Sequence, residues 1–144
     1  MYTGLVHAHS GLRWVALVLL LAAVFVSVSR WMGNKSFTEG NRKLYLFTLI
    51  SVHTQLVIGL ILYFISPKVD FSGMSNRVVR FYSVEHITIM LLAIIAITIG
   101  YSRSKRASGD TQKHRLVGLF YGVGLILILA GIPWAFRNLG AGTF

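Results

Sequence analysis

The chain has 144 residues, 55% of them hydrophobic and only 12% charged, about half the charged fraction of a soluble domain. Its 14 basic residues against 4 acidic ones give a formal charge of +10, but they cluster between apolar runs, which fits lipid headgroups and membrane topology and argues against nucleic acid as a partner. There is no cysteine, so disulfide partners, thiolate metal sites, iron–sulfur clusters and thiol catalysis are excluded, and any metal must be held by His, Met, Glu, Asp or a macrocycle.

Length allows one domain, residues 1–144. The first ten residues contain no Lys or Arg and no small-x-small cleavage site, so they do not read as a removable signal peptide, and the first apolar run is expected to stay in the mature protein. Four apolar runs follow: Gly11–Ser29, Leu44–Ser66, Phe81–Ser102 and Leu116–Phe136. Each is near the roughly 20 residues that a helix needs to cross a hydrocarbon core. Helices are therefore expected over about 5–30, 44–66, 80–102 and 114–136. The connecting stretches carry turn formers or charge: Gly33-Asn34 in the first, Pro67 and Ser72-Gly73 in the second, Ser108-Gly109-Asp110 in the third. Short connections make successive helices antiparallel neighbours, which predicts an all-α integral membrane four-helix bundle running up-down-up-down.

Orientation follows from the basic residues. One side holds nine (Arg30, Lys35, Arg42, Lys43, Arg103, Lys105, Arg106, Lys113, Arg115) and the other five (Arg13, Lys68, Arg77, Arg80, Arg137), together all 14. The positive-inside rule places the nine in the cytoplasm and both termini outside, in a bacterial inner membrane. Trp14 and Trp134 then serve as outer aromatic anchors and Trp31 as the inner one.

Ionisable residues at membrane depth are costly and mark functional sites by default. Counting about 1.5 Å per residue from the cytoplasmic boundary puts His86 and Arg13 roughly 25 Å up, His9 roughly 31 Å and His53 roughly 15 Å. His86 is the first candidate: an axial ligand of haem b, or a buried histidine bonded to a neighbouring helix. Glu85 lies about 100° around the helix from it, and is expected to form an ion pair with Arg13 or Arg80 or to carry a proton. His9 and Arg13 are four apart and share a face. They would supply a second iron ligand and a cation for a haem propionate. His7 lies on the other side of that helix from His9. His53 is the alternative ligand, or part of a quinone or proton site, and Gln55 points away from it. Gly59, Gly131 and Gly11 fall near the level of His86, where they would either make room for a macrocycle or pack helices. His114 reads as a headgroup contact or helix start, and Met90 as core filler below His86.

His9-Ser-Gly-Leu-Arg13-Trp14, His53-Thr-Gln55-x-x-x-Gly59-Leu-x-x-Tyr63, Glu85-His86-x-x-x-Met90, Lys113-His114-Arg115 and Pro133-Trp134 together resemble small bacterial four-helix membrane proteins described as cytochrome b-like. The resemblance spans the chain and implies haem b at the matching histidines. The full set of paired ligands of a two-haem transmembrane cytochrome is missing. The function expected is therefore a haem b protein in electron transfer, with quinone as a further cofactor and His86 and His9 on the iron. The alternatives are a small non-catalytic subunit or assembly factor of a larger respiratory or assembly complex, and a proton-coupled transporter using Glu85 and His53. No catalytic residue set for hydrolysis is present.

Overall fold

The structure, a computed structural model, describes residues 1–140; positions 141–144 of the expected domain lie outside them. It is all-helical. Four helices are long and apolar enough to cross a membrane: α1 (Tyr2–Met32), α2 (Glu39–Ile65), α3 (Arg77–Arg106) and α4 (Asp110–Gly131).

Capping chemistry moves the helix ends away from the hydropathy boundaries. α2 begins at Glu39 rather than near 44 because Thr38 and Asn41 cap each other. Asn41 N–H donates to Thr38 Oγ1 at 3.1 Å, and Thr38 N–H donates to Asn41 Oδ1 at 3.0 Å. α3 begins at Arg77, where Asn76 Oδ1 accepts from the Val78 and Val79 amides. α4 corrects the expectation of a helix over 114–136. It starts at Asp110 and stops at Gly131, because Pro133 lacks an N–H and forces Ile132 into an extended conformation. Arg137 folds back to close that end, its guanidinium donating to the Ala130 and Ile132 carbonyls at 3.0 Å each.

The helices form a ring, α1–α2–α3–α4, with α4 also against α1. The α3–α4 seam is the most extensive and the α2–α3 seam the thinnest. Ala16, Leu20 and Ala23 of α1, Tyr45 and Val52 of α2, Ile94 and Ile97 of α3, and Val117 and Tyr121 of α4 make the core. Gly100 and Gly124 let α3 and α4 close on each other, since an added Cβ would overlap Phe120 at the first and Ile97 at the second. Large apolar side chains, among them Val18, Phe25, Phe64, Leu92 and Ile126, face outward, a surface suited to lipid rather than water. Trp14 and Trp134 stack edge to face at 6.2 Å at the upper end, which also carries the chain start and the α2–α3 loop. Trp31 stands at the lower end with the two basic loops, under the Arg115 guanidinium.

Candidate functional site at the upper end

His86 owes its position to an irregular turn. Phe81–Glu85 is wound as a π-helix, and the His86 amide donates to the Phe81 carbonyl five residues back. A single π turn inside an α-helix often accompanies a functional site. The turn is pinned from two sides. Tyr63 of α2 donates its hydroxyl to the Ser83 carbonyl at 2.7 Å. The Asp70 amide of the α2–α3 loop donates to Ser83 Oγ at 2.9 Å. The Asp70 carboxylate accepts from the Ser72 amide at 2.9 Å and the Ser72 hydroxyl at 2.6 Å, and these bonds hold its carboxyl below the usual carboxylate range.

From this turn His86 reaches α4, where its Nδ1–H donates to the Gly131 carbonyl at 2.8 Å. Since a carbonyl only accepts, Nδ1 carries the proton and a neutral ring leaves Nε2 with a free lone pair. The rings of Phe81 and Tyr82 pack beside it, with centres 5.6 and 6.5 Å away. Opposite stands His9 of α1, its ring centre 6.4 Å from that of His86 and the planes nearly perpendicular at 78°. Gly59 of α2 backs the His9 ring; a Cβ added there would lie 3.1 Å from His9 Cε1. One turn earlier on α2, Gln55 Nε2 donates to the His9 carbonyl at 2.9 Å. His9, Arg13, Gln55, Gly59, Tyr82 and His86 line a cavity of about 250 Å³ that runs down to Leu20 and Ile94. His9 Nδ1 and Gln55 Oε1 are buried there without a hydrogen-bond partner among the described residues.

The structure thus gathers His9, Arg13, Gly59 and His86, and leaves His53, Glu85, Gly131 and Gly11 outside. His53 is exposed on the α2–α3 face, not in the cavity. Its Nε2–H donates to Thr98 Oγ1 at 2.9 Å, while the Thr98 hydroxyl is committed to the Ile94 carbonyl at 2.6 Å. Glu85 points away from His86 and pairs with Arg80 at 3.1 Å, both side chains half-exposed, which is the local ion pair and not a cavity group. Gly131 borders Ile89 and Met90 across the α3–α4 seam, where an added Cβ would stand 2.8 and 2.7 Å from their side chains. It serves packing, and serves His86 through its carbonyl. Gly11 faces open space. The room expected from three glycines at one level therefore reduces to Gly59 alone. His7 is exposed, while Met90 does border the cavity.

His114 also departs from expectation. It is fully buried at the lower end, not at a headgroup. Its Nε2–H donates to the Ser36 carbonyl at 3.0 Å and its Nδ1 accepts from the Tyr45 hydroxyl at 2.9 Å. Tyr121 in turn donates to the Tyr45 carbonyl at 2.8 Å. Both ring nitrogens are satisfied, so this is a structural polar lock between the α1–α2 loop, α2 and α4. Gln55 was the residue that sequence reasoning underweighted. Its spacing of four from Gly59 puts both on one face of α2, a signal that pointed to this site.

An all-helical, multi-span bundle with a two-histidine cavity near one end is what the fold and site define. No protein-family model, curated protein or solved structure matches the chain. Among the described residues no group of three or more His, Asp or Glu could hold a metal ion. A metal here would therefore rely on the paired imidazoles plus ligands from outside the protein.

Proposed function

We propose that this protein is a membrane haem b protein that acts in electron transfer, with His9 and His86 as the residues that would hold the haem iron. The observation that carries the reading is the 6.4 Å between the two ring centres. Two imidazoles that would share one metal, each with a bond of about 2 Å and about 1 Å of ring beyond it, would have centres roughly 6 Å apart. His86 is already oriented as such a ligand. Its Nδ1–H is tied to a backbone carbonyl, which fixes the tautomer and presents Nε2. Phe81 and Tyr82 pack against that ring, and Arg13 would offer a cation for a propionate. The resemblance to small cytochrome b-like proteins agrees with this.

Haem bound here would supply one-electron redox chemistry; the chain's own part is to bind, orient and shield it. The cavity, about 250 Å³, lies just below the roughly 300–1,000 Å³ of most ligand sites. Seating a macrocycle would therefore part α2 from α3 along the seam with the least contact. The same seam would admit a quinol from the bilayer. We place the site in the outer half of a bacterial inner membrane, with both termini outside.

The test is the absorption spectrum of detergent-purified protein. A Soret band and a dithionite-induced α-band are expected. They should be lost in His86→Ala and His9→Ala and kept in His53→Ala. Their absence from the wild-type chain, even after haem supplementation, would sink the proposal.

A second reading, that of a small subunit in a larger membrane complex, is favoured by His53. A polar ring on an outward face among apolar residues is costly against lipid and would be better placed against another subunit. Under that reading, His53→Leu should release a partner that co-purifies in mild detergent. For the transporter alternative, Glu85 and His53 share no cavity; proton flux in liposomes that disappears in Glu85→Gln would support it.

A further inference from the structure

Among the described residues, His9 and Gln55 each carry a buried polar atom without a hydrogen-bond partner, and the two residues are already in contact. His9 Nδ1 and Gln55 Oε1 have no hydrogen bond among the described residues, although the Gln55 amide sits against the His9 main chain through the 2.9 Å bond from its Nε2. That bond fixes which way the amide faces. Flipping it would set Oε1 against a carbonyl oxygen, acceptor to acceptor, so Oε1 remains the atom turned from the main chain. An amide oxygen only accepts, and buried it needs a donor. Two nearby donors are committed elsewhere, the Tyr63 hydroxyl to Ser83 and His86 Nδ1–H to Gly131. A histidine that ligates a metal through Nε2 has the complementary need: its Nδ1–H must find an acceptor.

Building on the haem reading, we infer that Gln55 is the positioning residue for His9: Gln55 Oε1 accepts from His9 Nδ1–H once His9 Nε2 is engaged by iron. Hydrogen bonds at such sites are often long or open before the ligand arrives and close with it. Gly59, one turn along α2, leaves the His9 ring free of a Cβ on that side, so the ring can turn about its χ2 to meet the amide. The two histidines that would hold the iron would then be held differently, His86 by a backbone carbonyl and His9 by a side chain. Only the second acceptor belongs to a side chain, so only it can be removed by substitution.

An acceptor on Nδ1–H raises the basicity of the ligating nitrogen and favours the ferric state. The experiment uses the full-length protein in detergent, reconstituted with haemin, as wild type, Gln55→Leu and Gln55→Glu. The readouts are the midpoint potential, the low-spin ferric electron paramagnetic resonance spectrum, and the melting temperature of the haem-free protein. Gln55→Leu should raise the potential and weaken haem binding by about 10- to 100-fold. Gln55→Glu keeps an acceptor and should hold the potential at or below the wild-type value. Both variants lose the bond to the His9 carbonyl, so they should lower the haem-free melting temperature alike, which separates the structural role from the positioning one. The inference is overturned if Gln55→Leu leaves the potential and resonance spectrum unchanged, or if both variants raise the potential together. A wild-type chain that takes up no haem fails the underlying reading and this one with it. Haem uptake with a silent Gln55→Leu fails this one alone.

Discussion

A neutral imidazole has one donor and one acceptor, so a carbonyl on one nitrogen decides what the other can do. His86 and His114 are both fixed this way, with opposite outcomes. His86 spends Nδ1–H on Gly131 and keeps Nε2 for a ligand. His114 spends Nε2–H on Ser36 and fills Nδ1 with the Tyr45 hydroxyl, which leaves nothing for a ligand. Tyr45→Phe should therefore orphan a buried acceptor and cost about 1–3 kcal/mol, seen as a lower melting temperature in detergent, while any haem α-band stays in place. From the sequence only one of the two reads as buried. His114 sits between Lys113 and Arg115 and looks like part of a charged loop. Because α4 already starts at Asp110, His114 lies in its second turn, and its neighbours are carried about 100° to either side of it. His86, which opens the charge-free run Ile87–Gly100, was legible as a buried group from that run.

For the helices, the apolar runs told where they lie but not where they end. Thr38 with Asn41, and Pro133 after Ile132, override hydropathy at the two places where the ends shift most. The π turn at Phe81–Glu85 left no trace in Phe-Tyr-Ser-Val-Glu, because one surplus residue in a helix changes neither composition nor polarity. The close α3–α4 seam gives a sharper expectation. Gly100 has Phe120 where a Cβ would go, so Gly100→Ala must push the backbones apart. Overpacking of this kind costs about 1–3 kcal/mol, measurable by thermal or denaturant unfolding in detergent. Gly11→Ala faces open space and should leave stability nearly unchanged, which makes it the matched control.

For the molecule as a whole, antiparallel neighbours followed from loop lengths, and His9, chosen for its place beside Arg13 with His53 as the alternative, does stand opposite His86. Depth counting set His9 and His86 at different heights and His53 lower still, but rotation about the helix axes decided which of them meet. Orientation is open to a direct check. With nine basic residues on one side against five on the other, a periplasmic phosphatase fused after the last residue should be active and a cytoplasmic fluorescent reporter dark. The reverse pattern would invert the topology and move the cavity to the inner leaflet. The chain also divides into two hairpins, α1–α2 and α3–α4, joined mainly through α1 and α4 because α2 barely touches α3. His9 and Gln55 belong to the first hairpin and His86 to the second. Neither half holds the site alone, so during biosynthesis the pocket comes into being only after the last helix has docked. A ligand that bridges the two histidines would bind the assembled ring and not its parts, and would hold late-joining halves together by mass action. Loading of such a ligand would then act as a proofreading step for membrane assembly.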